Sequence, residues 1–139
     1  MLGSASRLAF CSPAWLSFSV SLGYANLEHR VAVTPVTKFR IGSITKQFTA
    51  SAILRLQERG SLRVTDKLTR FFPDYPRGDE VTLHHLLTHT SGIHDFANKP
   101  DFLATITLPA TPEGKIKSFM NDPFDFAPGE NWSYCNTCE

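Results

Sequence analysis

The chain has 139 residues, of which 42% are hydrophobic and 19% charged, and its formal net charge is +1. That length suits one modest domain or part of a larger one, and the apolar content excludes a disordered chain. The near-neutral balance gives no reason to expect nucleic acid or an anionic membrane as partner. No run of about 18 or more uncharged apolar residues occurs, so no transmembrane helix is predicted. Eleven phenylalanines demand a sizeable apolar surface to bury. The first 26 residues make a poor signal peptide, because Pro13 interrupts them and serines dilute their apolar core. Localisation therefore stays open.

Residues 1–16 show no clear period. From Ser17 the pattern alternates, with Phe18, Val20 and Leu22 on one side and Ser17, Ser19 and Ser21 on the other. A period of two with one polar face predicts a half-buried strand of an antiparallel sheet. Residues 23–30 read as a turn or strand connection. Val31 and Val33 alternate again before Thr34-Pro35 breaks the chain.

A helix then follows from Ile44 to Arg59. Ile44, Phe48, Ala52 and Leu56 recur every fourth residue with Ile53 beside them, which predicts one apolar face. Ser43 is the expected N-cap and Gly60 the stop. After the short linker 61–66, Thr65 or Asp66 is placed to cap a brief helix over 67–72 that ends at Pro73. Thr82 caps a third helix over 83–89, stopping at Thr90-Ser91-Gly92. Residues 101–106 are ambiguous. Thr111-Pro112-Glu113 is a cap with proline at the first helical position, and the helix can run to Met120. Residues 131–136 read as extended. Strands first and helices after predict an α/β or α+β protein.

The chemistry starts at Ser43-x-x-Lys46. Three residues apart, the hydroxyl and the amine share one side of the first helical turn. The helix N-terminus favours developing negative charge on the oxygen, and an amine lowered in pKa by burial can take the hydroxyl's proton. Alone the pattern is weak: a capped amphipathic helix with a solvated lysine explains it equally well. Tyr134 and Asn136, two apart on an extended segment, point the same way. Tyr134 can act as acid or base if a cation such as Lys46 lowers its pKa, and Asn136 can hydrogen-bond a substrate amide. Taken alone, a buried tyrosine and a turn asparagine are the plainer reading.

His84, His85, His89 and His94 are a tempting cluster, and His85 and His89 lie four apart on one helix face. With Cys135 and Cys138 they make a Cys₂His₂ set. No glutamate sits between them as H-E-x-x-H requires, and the order fits no finger pattern. A small zinc protein is therefore the weak alternative, and His89 is expected to help hold the turn at Ser91-Gly92. Cys135-Asn136-Thr137-Cys138 reads as two incidental thiols.

Three ordered stretches change the weighing. Residues 39–46 (FRIGSITK), 86–93 (LLTHTSGI) and 126–129 (FAPG) followed by Tyr134-Cys135-Asn136 resemble the serine β-lactamase and penicillin-binding-protein superfamily, in its class C β-lactamase, D-alanyl-D-alanine peptidase and family VIII esterase branch. The resemblance runs from about residue 23 to 136. It implies the N-terminal part of a β-lactamase-like fold: antiparallel strands plus a helical region, with later sheet strands missing. Residues 1–16 are then a poorly defined segment and 17–139 a partial hydrolase domain. It also implies acyl transfer through a Ser43 acyl-enzyme, with Lys46 easing removal of the hydroxyl proton and Tyr134 relaying it to the leaving group. Asn136 holds the substrate's side-chain amide, the Ser43 N–H gives half of an oxyanion hole, and no metal or organic cofactor is used. The implied substrates are small molecules: a β-lactam, a peptidoglycan peptide or an ester. Residues 86–92 are a structural signature of that branch, and Cys135 stands where serine or alanine is common. The branch's third motif, Lys or His then Thr or Ser then Gly, falls beyond residue 139, so impaired activity is expected of a truncated chain. A non-catalytic penicillin-binding or scaffold module is the competing function.

Overall fold

The computed structural model describes residues 6–9 and 19–138. They fall into two compact units, Met1–Gly42 and Ser43–Glu139.

The first unit holds two antiparallel pairs. Strand β1 (Ser6–Ala9) pairs with β2 (Ser19–Leu22), placing Arg7 opposite Ser21 and Leu8 opposite Val20. A strand thus occupies the segment in which no period is legible. Strand β3 (Tyr24–Asn26) pairs with β4 (Val31–Ala32) across a register irregularity. Arg30 closes the intervening turn at φ 50°. The expected half-buried face of β2 is corrected: Leu22 is 63% exposed, whereas Ser21 on the other side is partly covered. Ser17 and Phe18 of that expected strand lie outside the described residues.

The second unit is helical and loop-rich. A single 3-10 turn, Gly42–Ile44, leads into α1 (Thr45–Glu58). Gly60, at φ 73°, ends the helix: its N–H binds the Gln57 carbonyl, and the Ser61 N–H reaches back to Leu56. Those two bonds satisfy carbonyls that the helix leaves open. The expected apolar stripe does not face inward, since Ile44 is 54% and Phe48 67% exposed. The covered side instead carries Lys46, Thr49, Ala50, Ile53 and Gln57. Particular contacts fix that rotation: Lys46 lies over an aromatic ring, and Gln57 Oε1 accepts the Val64 N–H at 2.8 Å.

Residues 64–68 run antiparallel to 81–84. Leu68 N–H bonds to Val81 O, and His84 N–H to Val64 O at 2.7 Å. The brief helix expected at 67–72 is a 3-10 turn, Leu68–Arg70, with no side-chain cap. Asp66 is used elsewhere: it accepts the Arg63 N–H at 2.7 Å and pairs with Arg70.

Helix α2 (Leu83–Leu87) follows expectation at its start. Thr82 Oγ1 accepts the His85 N–H at 3.2 Å, while His85 Nδ1 accepts the Thr82 N–H at 3.3 Å. The pair satisfies two orphan donors reciprocally. Helix α3 (Phe102–Thr105) is a single turn. Helix α4 (Pro112–Lys117) has the expected Thr111 cap and Pro112 start, and closes before Met120.

The core of this unit joins Leu68, Tyr75, Val81, Ile93, Phe119, Cys135 and Cys138, with Leu86, Phe96, Ile116, Met120 and Phe124 packed against it. Burial pushes the Tyr75 phenol up to about 12. Among the described residues, no helix is long and apolar enough to cross a membrane.

Candidate active site

Ser43 sits in the middle of the 3-10 turn that precedes α1 and is exposed. It is not the N-cap: that position is Ile44, and no side chain caps the helix. The backbone at Ile44 is already helical, with φ −60° and ψ −25°, so the extended geometry that lets an N-cap side chain fold back is absent. The Ser43 hydroxyl is thereby left for another partner. Tyr134 OH donates to Ser43 Oγ at 2.6 Å.

Lys46, the second residue of α1, sets its Nζ 5.2 Å from the centroid of the Tyr134 ring. Nucleophile candidate, amine and phenol therefore meet in one place. A cation over the ring face is attracted by the ring quadrupole and helps fix the ring's position.

What orients Tyr134 is His89. Its ring lies 4.8 Å from the Tyr134 ring, tilted by 36°, and packs edge-on to Trp132 at 6.3 Å. His89 Nδ1 accepts the Cys135 N–H at 3.3 Å, and its carbonyl accepts the Ser133 N–H at 3.0 Å. An accepting Nδ1 leaves Nε2 as the protonated nitrogen of the neutral ring. His89 takes φ 58°, a left-handed backbone that turns the chain out of α2.

The strap continues along residues 91–96. Thr137 Oγ1 donates to the His94 carbonyl at 3.0 Å and accepts the Phe96 N–H at 2.8 Å. Asp95, only 6% exposed, accepts the Ala97 N–H through Oδ1 and Asn136 Nδ2 through Oδ2 at 2.8 Å. Residues 89–96 thus carry residues 133–137 bond by bond. On their other side, Gly92 O accepts the Asp125 N–H at 2.7 Å, and Thr90 O accepts the Gly129 N–H at 2.8 Å. Gly92 has φ 73°, and a Cβ there would lie 1.9 Å from Phe126 O. Only glycine fits that approach.

Tyr134 and Asn136 have different hydrogen-bond partners, Ser43 and Asp95. Residues 131–135 belong to no strand and Asn136 lies in a bend, so strict alternation does not govern them. The Asn136 amide is turned to Asp95, beside an apolar cavity of about 380 Å³ that Thr49 and Ile53 of α1 also line. A carboxylate only accepts, so Asp95 holds the amide through its nitrogen and not through Oδ1.

Sequence reasoning did not find Asp95. Its roles as buried anchor and amide partner depend on a contact 41 positions away. His89 was noted, but for the turn and not for the tyrosine it supports.

The zinc alternative is corrected. Among the described residues, no group of three or more His, Cys, Asp or Glu side chains is arranged to hold a metal ion. His85 Nδ1 and His89 Nδ1 each take a backbone N–H, and the Cys135 thiol donates to the Ile93 carbonyl at 3.5 Å.

The beta-lactamase family model matches residues 11–138. The chain belongs to the beta-lactamase family. Esterase EstB of Burkholderia gladioli is 34% identical over 129 residues, covering 81% of this chain and 32% of that protein. The structure of the penicillin binding protein from Bacillus halodurans matches with a TM-score of 0.71 at 35% identity, over 90% of this chain and 38% of that one. The D-amino acid amidase from Ochrobactrum anthropi matches with a TM-score of 0.77 at 27% identity, over 95% of this chain and 36% of that one. The chain spans between 18% and 32% of the length of the first curated relatives it matches. The fold is therefore the N-terminal portion of a beta-lactamase-like α/β fold, as the three sequence stretches imply, and the family is one of serine hydrolases acting on small molecules.

Proposed function

We propose that this chain carries the nucleophile of a serine acyl-transfer hydrolase. One observation carries the reading: the 2.6 Å hydrogen bond between Tyr134 OH and Ser43 Oγ, with the Lys46 amine over the same ring. Two hydroxyls at that separation can exchange donor and acceptor roles by rotation. In one direction Tyr134 donates to Ser43. In the other Ser43 donates to Tyr134, the direction needed to remove its proton.

Ser43 Oγ attacks the substrate carbonyl carbon while its proton passes to the Tyr134 oxygen, with Lys46 supplying positive charge beside the ring. As it takes that proton, Tyr134 gives its own hydroxyl proton to the leaving group, so the phenol is restored and an acyl-enzyme forms on Ser43. The Ser43 N–H is one donor to the oxyanion. Asn136, held by Asp95 at its nitrogen, offers Oδ1 to an N–H of the substrate's side-chain amide. Tyr134 also activates the water that releases the acyl group. The substrate class follows the relatives' chemistry: a β-lactam, a D-alanyl-D-alanine peptide, an ester or an amide, each with one acylatable carbonyl.

Nitrocefin and p-nitrophenyl acetate hydrolysis, compared between the unaltered chain and Ser43→Ala, test the reading. Turnover lost in the variant supports it, and equal turnover in both refutes it. Labelling by a fluorescent penicillin without turnover assigns the chain the non-catalytic binding role instead.

A further inference from the structure

The function above does not use Cys135 and Cys138, yet they stand at either end of the Asn136-Thr137 turn, the first of them directly after Tyr134. Both are free thiols in the same core cluster, 3% and 9% exposed. Both thiols reach the same short segment, residues 91–93. Cys138 Sγ lies 3.2 Å from Ser91 Oγ, and Cys135 Sγ donates to Ile93 O at 3.5 Å. Cys138 lines the 380 Å³ apolar cavity together with Asn136 and Thr137.

We propose that Cys135 and Cys138 are a modification site, a dithiol that a hydroperoxide closes to a disulfide across the Asn136-Thr137 turn, clamping the segment that holds Tyr134 and Asn136. The two thiols differ in acidity. The neighbouring Cys138 thiol holds Cys135 below the ordinary thiol range, whereas Cys135 and burial hold Cys138 above it. Cys135 is therefore the attacking sulfur and Cys138 the resolving one.

The Cys135 thiolate attacks one oxygen of hydrogen peroxide. The O–O bond breaks, hydroxide leaves and takes up a proton as water, and Cys135 becomes a sulfenic acid. The Cys138 sulfur then attacks Cys135 Sγ and loses its proton, and the sulfenic hydroxyl leaves with a proton as the second water. Two thiols lose two electrons in total, and one peroxide is reduced to two waters. The new bond turns Cys138 Sγ away from Ser91 Oγ, which keeps the Ile93 N–H at 3.2 Å.

The test is peptide mapping of the native 139-residue chain after treatment with stoichiometric hydrogen peroxide, denaturing alkylation with iodoacetamide and trypsin cleavage. The pair lies in peptide 118–139, and Cys11 in a separate peptide, 8–30. The proposal predicts that peptide 118–139 loses two hydrogens, loses both alkylation sites together and regains them with dithiothreitol. Cys138→Ser should instead stop at a sulfenic acid on Cys135 that dimedone traps. Alkylation of both cysteines after peroxide overturns the proposal, as does separate oxidation to sulfinic acids or cross-linking to Cys11. So does a closure rate that rises with guanidinium in step with unfolding, because the thiols would then meet only in the unfolded chain.

Discussion

Tyr134 OH donates to Ser43 Oγ at 2.6 Å, joining two residues 91 positions apart. The bond brings the irregular segment that carries Tyr134 onto the turn before α1. Ser43, which does not occupy the N-cap position of that helix, has its hydroxyl directed to the phenol.

Tyr134→Phe keeps the ring against His89 and removes only the hydroxyl. If the phenol moves the serine proton, the acylation rate should fall roughly 100- to 10,000-fold. The melting temperature should change little, since the hydroxyl pair lies at an exposed position. Stopped-flow nitrocefin acylation and circular dichroism read the two quantities separately. A parallel loss of both would make the tyrosine a structural residue only.

The parts of this arrangement that could be read from residues alone were local ones. Thr82 and Thr111 announce their helices because a cap needs only the next three residues. Gly60 announces a helix end for the same reason. The rotation of α1 was not legible. The spacing of Ile44, Phe48, Ala52 and Leu56 defines a stripe but not what it faces, and contacts of Lys46 and Gln57 elsewhere in the unit set the angle. Ser43, Lys46 and Tyr134 could be singled out by motif, whereas Asp95 and the strap around it depend on pairing between distant segments.

Asp95→Ala removes the acceptor of the Asn136 amide and of the Ala97 N–H. Leaving those donors inside the unit should cost about 1–3 kcal/mol. Urea unfolding measures it. Asp95→Asn restores an acceptor oxygen and should recover part of the loss, so an identical cost for both variants would show that the hydrogen bonds are not what matters.

Gly92→Ala should be more damaging than its size suggests. The new Cβ would meet Phe126 O at 1.9 Å on a backbone at φ 73°. Strain and displacement together should destabilise by about 2–4 kcal/mol. A midpoint within experimental error of the parent in urea would refute the close approach between the strap and residue 126.

Stability should also depend on pH through His85. Burial, aided by His84 and Lys67, lowers its pKa from 6.5. The folded state therefore prefers the neutral ring, and the unfolded chain binds the proton first as pH falls. Stability is fully present above the unfolded value and is lost as pH drops through the folded one. The geometry agrees, because only a neutral Nδ1 can accept the Thr82 N–H. Thermal melts from pH 7.5 to 5 should show a decline that His85→Gln reduces, since glutamine keeps the capping acceptor without titrating. An unchanged slope in the variant would assign the decline to other groups.

The most direct test of the acyl-transfer reading is to incubate the chain with benzylpenicillin and with p-nitrophenyl acetate, quench in acid and map any adduct by tandem mass spectrometry. The reading predicts an acyl group on Ser43 from at least one of the two, absent in Ser43→Ala and greatly slowed in Lys46→Ala. An adduct on another residue, or none from either compound, would contradict it.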